Sequence, residues 1–346
     1  MGRYTEMKIM VLNHTNIDGN HFGCQKVEDN IRLWLKRLGA TQTTFVPTGT
    51  KNYSAELHAT ASSVDLILIN GEGTFHSGRE KAELCLRFAS KFALRGVPVW
   101  FINALYQNNP AAWRKYLITF QKVIARDSFS QKALCEILGD NVQYSGDLSL
   151  SVDYKLGASS ASNTVMVSDS VSRSKSADLL KFAFSIRTKA PVQYVPLLSS
   201  SSWLSEADIW SRARRLLKFG AASSEIEQWQ GLTFLNNYQD FLQVCEKSCL
   251  HVTGRFHSVC FSLITRTPFV SLSSNSWKIN ALICDVGLNP QRIISKRSLS
   301  EKLILQDWSF SLQESKNINK FLTSTQNYWA QVFESEKQKL KRSYGG

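Results

Sequence analysis

Short runs of aliphatic and β-branched residues recur along this chain, each followed by a longer stretch whose apolar positions repeat every three to four residues. That alternation predicts βαβ units built on parallel sheets, an α/β fold. Lys8–Leu12, Val64–Asn70 and Val97–Ala104 read as strongly apolar strands, with Thr43–Thr48, Lys122–Asp127 and Val142–Ser151 as weaker ones. Helices are expected from Cys24 to Gly39 and from about Arg79 to Gly96. Lys155–Thr164 is rich in Ser, Gly and Ala and reads as a linker. A second alternation follows, with strands at Thr164–Ser170, Pro191–Leu197, Cys249–Gly254 and Thr267–Ser273. Its helices are expected at Ser176–Lys189, from near Glu206 after a serine loop, and from about Phe256 until Pro268 stops the last. From Asn317 the tail reads as one amphipathic helix with a basic end. The expected organisation is therefore an N-terminal domain over residues 1–155, a second over 164–320 and a C-terminal helix over 321–346.

Composition narrows the partners. With 43% hydrophobic and 20% charged residues the chain is globular, and its net charge of +13 favours anionic ligands. The seven cysteines form no CxxC pair, which favours a reducing compartment over a disulfide framework. There is no apolar leader and no run of 18 apolar residues, so the expected location is cytoplasmic. Cys245, Cys249, His251, His257 and Cys260 lie close in sequence but fit no zinc spacing, so no metal is expected. The lysines are dispersed and no nucleic-acid signature occurs, so no nucleic-acid partner is expected either.

Candidate chemistry gathers where strands end. After the first strand, the loop carrying Asn20, His21 and Gly23 stands where open α/β sheets bind ligands; the alternative is a surface loop. Gly71 and Gly73 follow a buried strand, with Thr74 and His76 behind them; this is an anion-binding turn or plain turn chemistry. Arg126 and Asp127 end another strand, with Ser128 or Ser130 available as a helix cap, and Asp147 follows Gly146 in a similar place. Capping explains the serine and Asp127 but not Arg126, since a cation at a helix N-terminus opposes the dipole. The segment VTGRFHSVC sets Arg255 and His257 just after Gly254 at a strand-to-helix junction. There the arginine can grip a carboxylate or phosphate and the histidine can donate a proton; a local ion pair and a turn cap are the alternatives.

Taken in order, these motifs resemble the polysaccharide pyruvyl transferase family, over residues from about 8 to 288. LILINGEGTFHSG, VIARDSFS and GDLSLS match its strand-end elements, and VTGRFHSVCFSLITRTPF, with Lys278 downstream, matches its Gly-x-Arg-x-His helix. The chain departs from the family in having Gly23-Cys24 for Gly-Asp and Gly71-Glu72-Gly73 for a triple glycine. The resemblance implies two Rossmann-like domains with parallel sheets facing a central cleft, as in GT-B glycosyltransferases. It implies a donor site of Arg255, His257, Arg126, Gly254 and Lys278, with His257 as acid and Asp127 or Asp147 as base. Asn20, His21, Gly71, Gly73, Thr74 and His76 would fall on the acceptor side. It further implies transfer of pyruvate from phosphoenolpyruvate to a glycan or lipid-linked saccharide, with no cofactor. The alternatives are a glycosyltransferase using CMP-Kdo or CMP-sialate on the same scaffold, and a non-catalytic binding module. The basic tail also suits peripheral contact with an anionic inner membrane face.

Overall fold

The computed structural model describes residues 6–15, 21–157, 162–198 and 229–344, with 340–344 as backbone only. The helix expected near Glu206, the serine loop before it and residues 158–161 of the expected linker lie outside the described residues. The chain divides into two compact units, one comprising residues 1–17, 27–152 and 321–346, the other residues 18–26 and 153–320.

The first unit is a parallel sheet of β1 (Met7–His14), β2 (Ala40–Pro47), β3 (Leu66–Asn70), β4 (Val99–Ala104), β5 (Lys122–Ala125) and β6 (Val142–Tyr144). Its order is β2-β1-β3-β4-β5-β6, so the sequence direction reverses between β1 and β3. Alternate residues of β1 supply two separate cores. Ile9 and Val11 face Val27, Ile31, Trp34 and Leu35 of α1 (Phe22–Leu38), while Met10 and Leu12 face the layer built by α2 (Ala55–Ser63) and α3 (Glu80–Ala93). α4 (Arg114–Leu117) and α5 (Ser128–Leu138) complete that second layer. The C-terminal helix, Leu312–Tyr344, buries Trp329 and Phe333 on the α1 side, where the rings of Phe333 and Trp34 stack at 5.5 Å.

The second unit carries β7 (Val165–Ser170), α6 (Arg173–Ile186), β8 (Val192–Tyr194), α7 (Tyr238–Lys247), β9 (Leu250–Gly254), α8 (Phe256–Thr265), β10 (Phe269–Leu272), α9 (Lys278–Val286) and β11 (Ile293–Ile294). Its five parallel strands run β11-β10-β9-β7-β8, reversing between β7 and β9. α8 is buried along its whole length. A buried polar cluster ties it down, since His251 on β9 lies 2.9 Å from Ser168 Oγ on β7 and 2.8 Å from Ser262 Oγ on α8. Burial lowers the His251 pKa to about 3, so at neutral pH its ring links these elements uncharged.

Three elements differ from the sequence expectation. The expected strand Val142–Ser151 is a strand only to Tyr144, because Asp147 accepts the Ser149 N–H at 2.8 Å and caps a 3-10 turn over Leu148–Leu150. α1 starts at Phe22 rather than Cys24, because His21 Nδ1 accepts the Cys24 N–H at 3.3 Å and so caps it. α2 carries no strong apolar stripe and was not expected. All seven cysteines are free thiols. Among the described residues no helix is long and apolar enough to cross a membrane, and no cluster of His, Cys, Asp or Glu could hold a metal ion.

Candidate functional site

In the second unit the reversal point between β7 and β9 is where the sheet's carboxyl edge opens, the usual ligand position in such folds. β9 ends at Gly254, and a Cβ there would fall 2.6 Å from Ser170 Cβ on β7, so only glycine lets the two strand ends pass. The next residue, Arg255, is the cap position of α8. Its Nε donates to Asp169 Oδ2 at 2.9 Å and its Nη2 donates to the same oxygen, while Asp169 Oδ1 accepts the Leu197 N–H at 3.0 Å. The clamp uses one edge of the guanidinium and leaves Nη1 with no partner among the described residues.

Two positions further, the buried ring of His257 packs against Phe256 and, edge-on at 5.7 Å, against His21. Gly23 makes that approach possible, because a Cβ at residue 23 would sit 2.2 Å from the His257 ring. Burial holds the His21 pKa well below its ordinary value, and the charges of Arg255, His257 and Lys278 push it the same way. Lys278 opens α9. One unit thus gathers Arg255, His257, Lys278 and His21 around a strand end, with the N-termini of α8 and α9 adding their dipoles. The arrangement is suited to a small anion bearing a phosphate or carboxylate.

Apart from Asn20, the other expected site residues belong to the first unit, and local structure accounts for most of them. Arg126 is buried, with Nη1 3.2 Å from Asp147 Oδ2, which explains the cation that capping left unexplained. Asp127 caps α5, accepting from Ser130 N at 2.7 Å and Ser130 Oγ at 3.0 Å. Gly71 is a packing glycine, since a Cβ would lie 2.5 Å from Ala104 Cα; Gly73 adopts φ 63°. Thr74 donates to Asn13 at 3.0 Å, and His76 is buried beside Ser77. Asn20 lies outside the described residues.

Two groups escaped the sequence reading. Asp169 stands near the end of β7, buried between Ser168 and Ser170, and a buried acid there required a cationic partner. Glu28 lies on the buried stripe of α1, three residues before Ile31. Its Oε2 is 2.9 Å from His14 Nδ1, and its Oε1 accepts the Thr15 N–H at 3.0 Å, at the carboxyl end of β1 beside the first unit's reversal point.

No curated protein sequence matches this chain. Solved structures resemble it at low identity across its full extent. A glycosyltransferase from Rickettsia africae ESF-5 is 11% identical with a TM-score of 0.55, covering 99% of this chain and 98% of its own. The UDP-GlcNAc 2-epimerase from Neisseria meningitidis bound to UDP-GlcNAc is 12% identical with a TM-score of 0.57, covering 95% and 99%. Anabaena HepE in complex with UDP and glucose is 12% identical with a TM-score of 0.53, covering 98% and 100%. These likenesses show the fold, that of GT-B glycosyltransferases and epimerases with Rossmann-like units. Residues 10–276 match a family model whose description is "Polysaccharide pyruvyl transferase".

Proposed function

The chain belongs to the polysaccharide pyruvyl transferase family and is a glycan-modifying transferase, and from that premise we propose that it moves pyruvate from phosphoenolpyruvate onto two hydroxyls of a sugar. The observation that carries the reading is the cluster of Arg255, His257 and Lys278 at the β7/β9 reversal point of the second unit. Arg255 offers Nη1 to the donor's carboxylate or phosphate, and Lys278 adds a second positive charge.

In this reading His257 protonates the methylene carbon of the enol, and positive charge develops at C2. A sugar hydroxyl attacks C2, its electron pair forming the new C–O bond, and its proton restores His257. The phosphate leaves with the electron pair of its C–O bond and carries away the proton of the second hydroxyl, which closes the ketal. The balance is one phosphoenolpyruvate and one diol giving one ketal and one inorganic phosphate. Asp127 and Asp147 are spent on caps and on Arg126, so the scheme gives them the task of shaping the first unit rather than moving protons. The basic surface, at +13, suits an acidic or lipid-linked saccharide acceptor at an anionic membrane face.

A second reading is a nucleotide-activated acidic sugar such as CMP-Kdo or CMP-sialate as donor, its phosphate on the same Arg255; the neighbours solved with UDP-GlcNAc, or with UDP and glucose, favour a nucleotide-activated donor without favouring its base. Thermal unfolding in the presence of phosphoenolpyruvate, CMP, UDP or GDP separates the two. Protection by phosphoenolpyruvate, absent with the nucleotides, supports pyruvyl transfer; protection by CMP alone moves the protein to the second reading.

A further inference from the structure

His21 is not spent on packing alone. Its backbone is pinned inside the second unit by a bridge to Leu198, and the following Phe22 N–H donates to Leu197 O at 3.2 Å. Its ring does two further things. Nδ1 accepts the Cys24 N–H, so that nitrogen bears no proton, and a neutral imidazole with a bare Nδ1 carries its hydrogen on Nε2. That Nε2 has no hydrogen-bond partner among the described residues, and neither has Arg255 Nη1. The ring stands 5.7 Å from that of His257, across a gap that only Gly23 keeps open.

We propose that His21 is a further donor of the anion site: as the neutral imidazole it gives its Nε2–H to the phosphate or carboxylate of the donor substrate, and His257 alone carries the proton that the reaction moves. The inference rests on the anion-site reading above and assigns its two histidines different work. A fixed neutral donor beside Arg255 and Lys278 adds a hydrogen bond without adding a further charge to the cluster. The groups facing His21 are Arg255, His257 and Lys278, with Asp169 behind Arg255; burial and positive charge on the first three oppose its protonation, and a hydrogen bond to its own backbone opposes them only in part. The ring therefore stays uncharged through neutral pH.

The test uses the full chain with labelled histidine. Imidazole nitrogen resonances between pH 6 and 8 should show His21 protonated only at Nε2, and phosphoenolpyruvate should shift that Nε2–H. His21→Leu should bind phosphoenolpyruvate about ten- to a hundredfold more weakly, the range for loss of a hydrogen bond to a charged group. His21→Gln, which keeps an N–H donor and a capping acceptor, should retain most of the affinity. It also serves as the folded control if the leucine variant is unstable. An imidazolium or an Nδ1–H tautomer at neutral pH overturns the inference, as does unchanged affinity in a folded His21→Leu. If CMP protects the wild type and phosphoenolpyruvate does not, the pyruvyl reading fails, and the same variants measured with CMP decide the role of His21. If neither these ligands nor inorganic phosphate binds, the anion site and the inference fall together.

Discussion

A guanidinium held by two nitrogens on one buried carboxylate has a single edge left to offer, and Asp169 decides which edge of Arg255 that is. Removing the acid frees the side chain to turn and leaves a nearly enclosed positive charge without its counter-ion. Asp169→Ala should therefore cost about 3 kcal/mol of stability, the lower end for breaking a buried pair because Arg255 keeps some solvent contact. Urea unfolding measures that loss, and phosphoenolpyruvate protection should weaken with it. Gly23→Ala should act from the other side of the site. Its new Cβ overlaps the His257 ring, so donor protection should fall along with about 1–3 kcal/mol of stability, the usual cost of overpacking. A folded Gly23→Ala with full protection would separate the His257 ring from the site. Arg255 and His257 were legible in the sequence because no packing requirement places a cation and a histidine at a strand-to-helix junction. Asp169 and Glu28 were not, because an acid's partner appears only when distant segments pair. Asp169 and Arg255 are 86 positions apart, and only the β7–β9 ladder brings them together.

At the scale of elements, strong apolar runs became strands where expected, and the misses have local causes. The start of α1 was misplaced because histidine is not among the usual capping side chains, yet His21 Nδ1 accepts the N–H that Ser or Asp would take. β6 is short because Asp147 caps a 3-10 turn over Leu148–Leu150, and the intervening Gly146 lies against the C-terminal helix, where a Cβ would come 2.5 Å from Thr325 Oγ1. That helix is part of the first unit's core: Trp329 is fully buried and its Nε1–H donates to Gly146 O at 3.2 Å. Trp329→Ala should destabilise the protein by about 3–5 kcal/mol, as large aromatic truncations do, and denaturant unfolding reads it. At its start the same helix carries Glu314, which Arg292 grips through Nε and Nη2, each at 2.9 Å. That hydrogen-bonded pairing lowers the Glu314 pKa from 4.5 to about 2. A carboxyl depressed on folding contributes stability that is fully present above pH 4.5 and is lost as pH falls toward 2. Over that window the unfolding midpoint should fall more steeply for wild type than for Glu314→Gln; equal slopes would mean that the pairing contributes nothing.

For the whole molecule, each unit repeats one device, a parallel sheet whose strand order reverses and whose functional-looking side chains stand at the carboxyl edge of the reversal. The alternation of apolar runs announced both sheets. It could not announce that residues 18–26 join the second unit and residues 321–346 the first, because an amphipathic stripe does not name the surface it will cover. The net charge of +13 pointed to anions, and the second unit gives that charge a local form in Arg255, Lys278 and the helix ends beside them. The central claim is that this cluster binds phosphoenolpyruvate. It is tested most directly by the thermal unfolding of wild type and Arg255→Ala with and without phosphoenolpyruvate. The expected result is a ligand-dependent rise in melting temperature for wild type that disappears in Arg255→Ala. An equal rise in both proteins, or none in either, would contradict the account.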